Sequence, residues 1–292
     1  MSASVDEGPR PELSVVVVNH NSGDGVRGCV ESVIESAGDV RLEVVVVDNA
    51  STDGSDRRVR EAFPQVRMVR NVDNRGFGAA ANQGFRAVDS EFAMLVNPDA
   101  RIIAGTLAGF LKVARDHPRA GAMGALVRDP DGSIYPSARK IPSLTEGIVH
   151  TAVGFVRPRN RWTRSYKLLD WDRASERQVD WVSGSSMLLR RAALDEVGLF
   201  DEGYFMYVED MDLCTRLRAA GWEVWFSPHL EIEHVGGTAT AGKKRMTLEH
   251  SKSIYRYTAE YRTPGWRAVV RPLAWAALRA RAALVSWRKG ER

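Results

Sequence analysis

The chain is 292 residues long, 44% hydrophobic and 27% charged, with a formal net charge of +4, the make-up of an ordinary globular protein with a sizeable core, as one large domain or one with an appendage. Its two cysteines, Cys29 and Cys214, lie far apart without paired spacing, which argues against a disulfide framework or a cysteine-based zinc site and suits a cytosolic compartment. The N-terminal MSASVDEGPRPE lacks the apolar centre of a signal peptide, and no uncharged apolar stretch of about 18 residues occurs, so no membrane span is expected.

After a flexible tail over 1–12 come four short apolar, β-branched runs: LSVVVV (13–18), LEVVVV (42–47), VRMVR (66–70) and FAMLV (92–96). Such runs suit strands buried on both faces of a parallel sheet. Helix-length segments separate them, at roughly 24–37, 53–63 and 76–88. The alternation predicts an α/β fold with right-handed crossovers, in which ligands bind at the carboxyl ends of the strands. Each run is followed by a polar loop: Asn19-His20-Asn21-Ser22, Asp48 to Ser55, Asn71 to Gly78, and Asn97-Pro98-Asp99. A polar cleft is expected along that edge.

The second half is less regular. A basic cluster of Arg157, Arg159, Arg161, Arg164 and Lys167 occupies a proline-containing loop free of acids. VDWVSGSSMLLRR (179–191) reads as a strand pair, Glu209 to Ala220 as a helix, and WEVWFS (222–227) and LEIEHV (230–235) as strands. From Arg262 onward eight basic residues face one acid, Glu291, so this tail carries +7 and the rest of the chain about −3. The tail reads as one or two helices broken near Pro272, with Trp266, Trp275 and Trp287 interleaved among arginines. It is either a solvated helix packed on the domain or a helix lying on an anionic membrane surface with its tryptophans at the headgroups. Both basic clusters suit an anionic partner; no nucleic-acid-binding motif accompanies them, so nucleic acid is not expected.

Candidate chemistry falls at the strand ends. Asp99 follows a buried strand and a proline; it suits a hard divalent cation, although Asn-Pro-Asp is also ordinary turn chemistry. Asp48 ends the second strand and suits a hydrogen bond from a pyrimidine imide, while Asp53 reads as a helix cap. The glycine-rich Asn74-Arg75-Gly76-Phe77-Gly78 leads into a helix whose backbone N–H groups suit a nucleotide, but its spacing is not the dinucleotide fingerprint. In Tyr204 to Leu213, three acids crowd a helix start: Glu209, Asp210 and Asp212. First-turn acids complement the helix dipole, yet three in four positions exceed that need. Glu209 and Asp212 share a face, with Asp210 about 100° away, so one can address the cleft while another serves structure. His234 ends a strand and is either a structural histidine or a partner of Asp99 in a metal site.

Together, VVVNHN, VVVDNASTDGS, NRGFGAAANQG, LVNPD, WVSGSSMLLRR, FDEGYFMYVEDMDLCTRL and EIEHVGG resemble an inverting family-2 glycosyltransferase of the GT-A fold, from about Leu13 to Gly237. The insert RDPDGSIYPSARKIPSL, with PRNRW downstream, resembles the actinobacterial rhamnosyltransferases that act on N-acetylglucosaminyl-diphospho-polyprenol. That resemblance implies a catalytic domain over 13–240, with a nucleotide-sugar half (13–100) and an acceptor half (101–240), and a C-terminal extension over 241–292. It implies donor contacts at Asn19, Asp48, Asn74, Gly76, Asn82, Asn97 and Asp99, and acceptor contacts at Trp181, Gly184, Ser185, Glu209, Arg157, Arg159 and Arg161. Asp210 matches the catalytic base, and Asp99 with His234 the ligands of Mg²⁺ or Mn²⁺. Asn97 stands where the family's D-x-D motif has its first aspartate, which puts a two-carboxylate metal site in doubt. The implied partners are a dTDP- or UDP-linked sugar, a polyprenyl-diphospho-sugar and the cytoplasmic face of the membrane, bound peripherally; a homo-oligomer is left open.

Overall fold

The computed structural model describes residues 10–144, 146, 147, 150, 157, 159–234, 243–272, 274–276, 278 and 279. Its elements are β1 (Leu13–Asn19), α1 (Gly25–Glu35), β2 (Leu42–Asp48), α2 (Ser55–Ala62), β3 (Arg67–Arg70), α3 (Phe77–Arg86) and β4 (Phe92–Val96). Then come β5 (Ala100–Gly105), α4 (Leu107–Asp116), β6 (Ala120–Arg128), β7 (Ile134–Tyr135), β8 (Ala138–Arg139), α5 (Arg161–Lys167), β9 (Arg177–Gln178) and β10 (Trp181–Val182). The chain continues with β11 (Ser186–Arg190), α6 (Arg191–Val197), α7 (Glu209–Ala219), β12 (Glu223–His234) and α8 (Lys243–Tyr257).

The four apolar runs form parallel strands in the order β3-β2-β1-β4, and the sheet then continues β11-β6-β12-β5. It is mixed: β11 is antiparallel to both β4 and β6, β12 runs parallel to β6, and β5 is antiparallel to β12. Every residue of β1 is buried, as the unbroken valine run requires. Alternate residues feed two cores: Val16 and Val18 meet Ala80, Ala81 and Phe85 of α3, while Val15 and Val17 share a cluster with Val26, Val30 and Val33 of α1. Fully burying each such side chain is worth about 1.5–3 kcal/mol.

The second half departs from the expected strand pairing. β10 and β11 do not pair with each other; β10 joins β8 in a separate two-stranded ribbon, while β11 enters the main sheet. The expected strands over 222–227 and 230–235 are one strand, β12, irregular between Ser227 and Glu231. Nor did the sequence reading find β5, α4 or β6. β6 is AGAMGALVR, poor in β-branched residues, because its neighbours lie so close. A Cβ on Gly124 would stand 2.7 Å from the Val182 side chain.

The C-terminal break falls earlier than expected. A π-helical turn over Thr258–Arg262 follows α8, and the chain stops at Thr263-Pro264 before a 3₁₀ segment over Gly265–Val270. Pro272 sits at the start of the next helical run, where its missing N–H does no harm. Arg271 donates to the carbonyls of Ala259 and Thr263 and so caps the turn. The side chains of Trp266 and Arg267, and all of Arg281, Trp287, Arg288, Lys289, Glu291 and Arg292, lie outside the description. Among the described residues no helix is long and apolar enough to cross a membrane.

Candidate active site

Strand register aligns the donor edge. Asn19 on β1 lies opposite Asp48 on β2, which lies opposite Arg70 on β3. Asn19 is 0% exposed, and its Nδ2 donates to Asp48 Oδ1 (2.9 Å), Ser51 Oγ (3.1 Å) and Ser55 Oγ (2.8 Å). Asn19 therefore holds Asp48 in place. Asp48 is equally buried, takes a further hydrogen bond from Ser51 N and lies 3.9 Å from the Arg70 guanidinium. Asp53 bridges two loops, accepting from Gly23 N (2.8 Å) and Ser55 N (3.0 Å).

The next loop is built from amides. Asn49 Nδ2 donates to Asn74 Oδ1 and Gly76 O, and its Oδ1 accepts from Arg75 N and Asn71 Nδ2. Asn74 Oδ1 also accepts from Gly76 N. Gly76 has φ of +88°, and a Cβ there would stand 2.5 Å from Phe205 O, so this glycine permits close approach of the second half of the chain. Asn82 departs from its expected donor role. It is 1% exposed, donates to Phe200 O and Glu202 Oε1, and accepts from Phe200 N. It staples α3 to the 200–202 loop.

Asp99 and His234 meet because β12 pairs His234 with Ala100 of β5. His234 Nε2 lies 3.1 Å from Asp99 Oδ1 and 3.1 Å from Asn97 Nδ2. Burial alone would lower the His234 pKa, but the hydrogen bond and charge of Asp99 raise it overall. One ring nitrogen cannot donate to Asp99 while accepting from Asn97, so one contact is unsatisfied in either protonation state. A divalent cation fits this place: Asp99 offers a hard oxygen, His234 a nitrogen, and a rotated Asn97 amide its oxygen. Among the described residues no group of three or more His, Cys, Asp or Glu forms a cation site, so water or a bound anion would complete the coordination.

Asp210 opens α7 after two non-glycine residues in the left-handed region, Tyr207 (φ +67°) and Val208 (φ +74°). Positive φ at a β-branched residue is strained, and here it aims the first turn of the helix. Asp210 Oδ2 accepts from Gly184 N (3.0 Å) and Oδ1 from Met211 N (2.8 Å). Burial raises its pKa, against the pull of those two N–H groups and of Arg139. Ser185, next to Gly184, accepts at its carbonyl from Asn97 N (3.0 Å), so one turn joins Asp210 to the Asp99 loop. Glu209 is 5% exposed with its Oε2 unpartnered; burial, then the charges of Asp210 and Asp212, raise its pKa well above the ordinary value. It lies within the protein rather than on an acceptor surface. Asp212 is structural, bound by Arg216 (2.9 Å) and Tyr261 OH (2.7 Å).

On the acceptor side, Trp181 is buried with its Nε1 on Lys140 O (3.0 Å). Its ring lies 4.8 Å from the guanidinium of Arg139, which also donates to Tyr135 OH (2.9 Å). The sequence reading missed Arg139 and Tyr135, which occupy the quoted insert RDPDGSIYPSARK without any motif to mark them. Only the pairing of Arg139 with Trp181 across the β8–β10 ribbon brings this arginine to the site. Arg157, Arg159 and Arg161 are exposed; Arg161 stacks on Trp162 at the start of α5, and Arg164 pairs with Asp170.

The mixed sheet, with Asp99 and His234 at one strand edge and Asp210 tied to the Asp99 loop through Gly184-Ser185, has the GT-A fold of solved glycosyltransferases. The fold matches GalNAc-T7 with UDP, GalNAc and Mn²⁺ at a TM-score of 0.63 and 17% identity, over 93% of this chain and about half (52%) of that one. It also matches the mannosyltransferase PcManGT from Pyrobaculum calidifontis with GDP-Man and Mn²⁺, at 0.57 and 18%, over 95% and 76%. Residues 14–198 match glycosyl transferase family 2, and the chain belongs to that family. It is 39% identical over 275 residues to the N-acetylglucosaminyl-diphospho-decaprenol L-rhamnosyltransferase of Mycobacterium tuberculosis, covering 90% of this chain and 88% of that protein. It is 27% identical over 257 residues to the rhamnosyltransferase WbbL of Escherichia coli K12, covering 85% and 93%.

Proposed function

We propose that this glycosyltransferase moves L-rhamnose, with inversion, from dTDP-L-rhamnose to a hydroxyl of an N-acetylglucosaminyl-diphospho-polyprenol, as a peripheral enzyme of the cytoplasmic membrane face. The names of the two relatives support the sugar, and the longer name supports the lipid-linked acceptor. The observation that carries the chemistry is Asp210, held by two backbone N–H groups and tied through Gly184-Ser185 to the Asp99 loop.

Asp210 takes the proton of the acceptor hydroxyl as that oxygen attacks the anomeric carbon from the face opposite the departing nucleotide. Burial makes it a stronger base than a solvated aspartate, while the Gly184 and Met211 N–H groups keep its ionised form accessible. Asp99 and His234 are the residues that would hold Mg²⁺ or Mn²⁺, which neutralises charge on a diphosphate leaving group. On this reading Asp48 and Asn74 serve the nucleotide, held in place by Asn19 and Asn49 respectively.

The test is a donor screen with short-chain prenyl-diphospho-N-acetylglucosamine as acceptor, with the product's anomeric configuration read by NMR. Transfer from dTDP-L-rhamnose with inversion is expected. Transfer only from another nucleotide sugar overturns the rhamnose assignment and leaves the family standing. Failure of both dTDP and UDP to bind with Mg²⁺ or Mn²⁺ present overturns the enzyme reading in favour of a silent scaffold.

A further inference from the structure

Arg139, whose charge acts on the proposed base Asp210, sits in a built cage. Arg139 lies 4.8 Å from the Trp181 ring, 5.5 Å from Tyr135 and 5.8 Å from Tyr166. Its Nε donates to Pro136 O, and its two terminal nitrogens reach Tyr166 OH (3.4 Å) and Tyr135 OH (2.9 Å). Those contacts fix the plane of the guanidinium and leave two of its five N–H donors without an acceptor among the described residues.

The cage and its neighbours carry more positive charge than negative. Lys167 on α5 is half-buried beside it, and the charge of Asp210 is the one carboxylate charge felt by Arg139 among the described residues, without a direct ion pair. Burial, then the charge of Arg139, lower the Lys167 pKa. Arg173, 4% exposed, adds a third charge and donates to Lys167 O and Ala138 O. Asp170 pairs with Arg164 and Asp180 with Arg218, which leaves Asp210 as the single carboxylate set against three cations. Three buried or half-buried cations against one carboxylate are costly unless a ligand supplies further negative charge.

We propose that Arg139, with Lys167 behind it, binds a phosphate of the acceptor and so makes the diphosphate the main determinant of acceptor recognition. This deepens the function proposed above and rests on it for the acceptor's identity. A fixed fork with free N–H donors suits a phosphate oxygen pair. The acceptor source is favoured over the donor because the ribbon carrying Arg139 continues into Gly184, which holds the base that must meet the acceptor hydroxyl. The donor diphosphate falls to the Asp99–His234 side. The exposed Arg157, Arg159 and Arg161 are then left to the lipid surface.

The experiment measures binding directly, by tryptophan fluorescence, for wild type, Arg139→Gln and Lys167→Gln. The ligands are short-chain prenyl-diphospho-N-acetylglucosamine, a phosphate-free alkyl glycoside of N-acetylglucosamine, and dTDP with Mn²⁺. Wild type is expected to favour the diphospho-acceptor. Arg139→Gln should weaken that ligand roughly 10- to 100-fold and erase the preference, with dTDP affinity held within about twofold. Lys167→Gln, which leaves the cage intact, should act in the same direction to a smaller extent. The proposal is overturned if wild type shows no preference, if Lys167→Gln and a folded Arg139→Gln both keep it, or if dTDP binding falls instead. Turnover run in parallel reports separately: preferential binding without transfer from any donor sinks the function and leaves the phosphate site standing.

Discussion

Replacing Asp210 by asparagine removes the base and little else. The side chain keeps its shape, and one amide oxygen still accepts from Gly184 N or Met211 N, which now lie 3.0 and 2.8 Å from the carboxylate. The other N–H faces an NH₂ group, a loss of about 1.5–3 kcal/mol for a charge-assisted bond. Removing a charge that burial disfavours offsets part of that loss, so the variant should fold. Turnover is another matter: a positioned general base contributes about 10²- to 10⁴-fold, and kcat should fall by that factor. The sign of the pH effect follows from the raised pKa. A protonated Asp210 cannot accept the hydroxyl proton, so wild-type kcat/KM should drop as pH falls through that pKa, and this limb should vanish from any residual activity of the variant. Steady-state kinetics with dTDP titrations in the presence of Mn²⁺ separate the terms, since dTDP affinity should stay near wild type. Turnover within about tenfold of wild type, from a folded variant, would remove Asp210 from the role.

Three further perturbations probe the surroundings. Asn82→Ala removes three hydrogen bonds to Phe200 and Glu202 and should destabilise the protein by about 2–4 kcal/mol in urea unfolding; an unchanged midpoint would mean the 200–202 loop is held elsewhere. Glu209→Gln should stabilise the fold increasingly as pH rises. A raised carboxyl pKa means wild type loses stability as Glu209 ionises without a partner for Oε2, whereas glutamine does not titrate. Thermal melts from pH 5 to 8 should show a gap growing with pH, and a constant gap refutes the buried-charge argument. Asn97→Asp gives the Asp99–His234 pair a second carboxylate and should tighten Mn²⁺ binding without nucleotide roughly tenfold, read by calorimetry. No change there would place Asn97 outside the cation's reach.

The first half of the fold was legible because each strand is buried on both faces and announces itself as a valine-rich run, with a polar loop at its carboxyl end. The places of Asp99, just past a strand, and of Asp210, at a helix start, were legible for the same reason, although turn chemistry and helix capping explain either carboxylate alone. β5 and β6 escaped because exposure on one and small residues on the other leave no apolar run to read. Asn82 was misread because a polar residue in a glycine-rich stretch looks like a ligand contact, while its partners Phe200 and Glu202 lie more than a hundred residues on. Arg139 escaped for a related reason. Its role is set by pairing across a ribbon of two-residue strands, too short to leave a periodic trace.

The strained approach to Asp210 explains why α8 belongs with the site, although it lies beyond the boundary drawn at residue 240. Two successive left-handed residues, Tyr207 and Val208, cost about 1–3 kcal/mol each and persist only where neighbours over-determine them. Phe77 N donates to Phe205 O on one side. On the other, α8 supplies Ser253 Oγ to Met206 O (2.9 Å), His250 against the Tyr207 ring and Arg256 to Asp201 (2.6 Å). Beyond the strained pair, Tyr257 OH meets Thr215 Oγ1 and Tyr261 OH meets Asp212, both at 2.7 Å, so the same segment grips α7. The base is thus aimed from both ends of its turn, and the segment that aims it leads directly into the basic C-terminal tail.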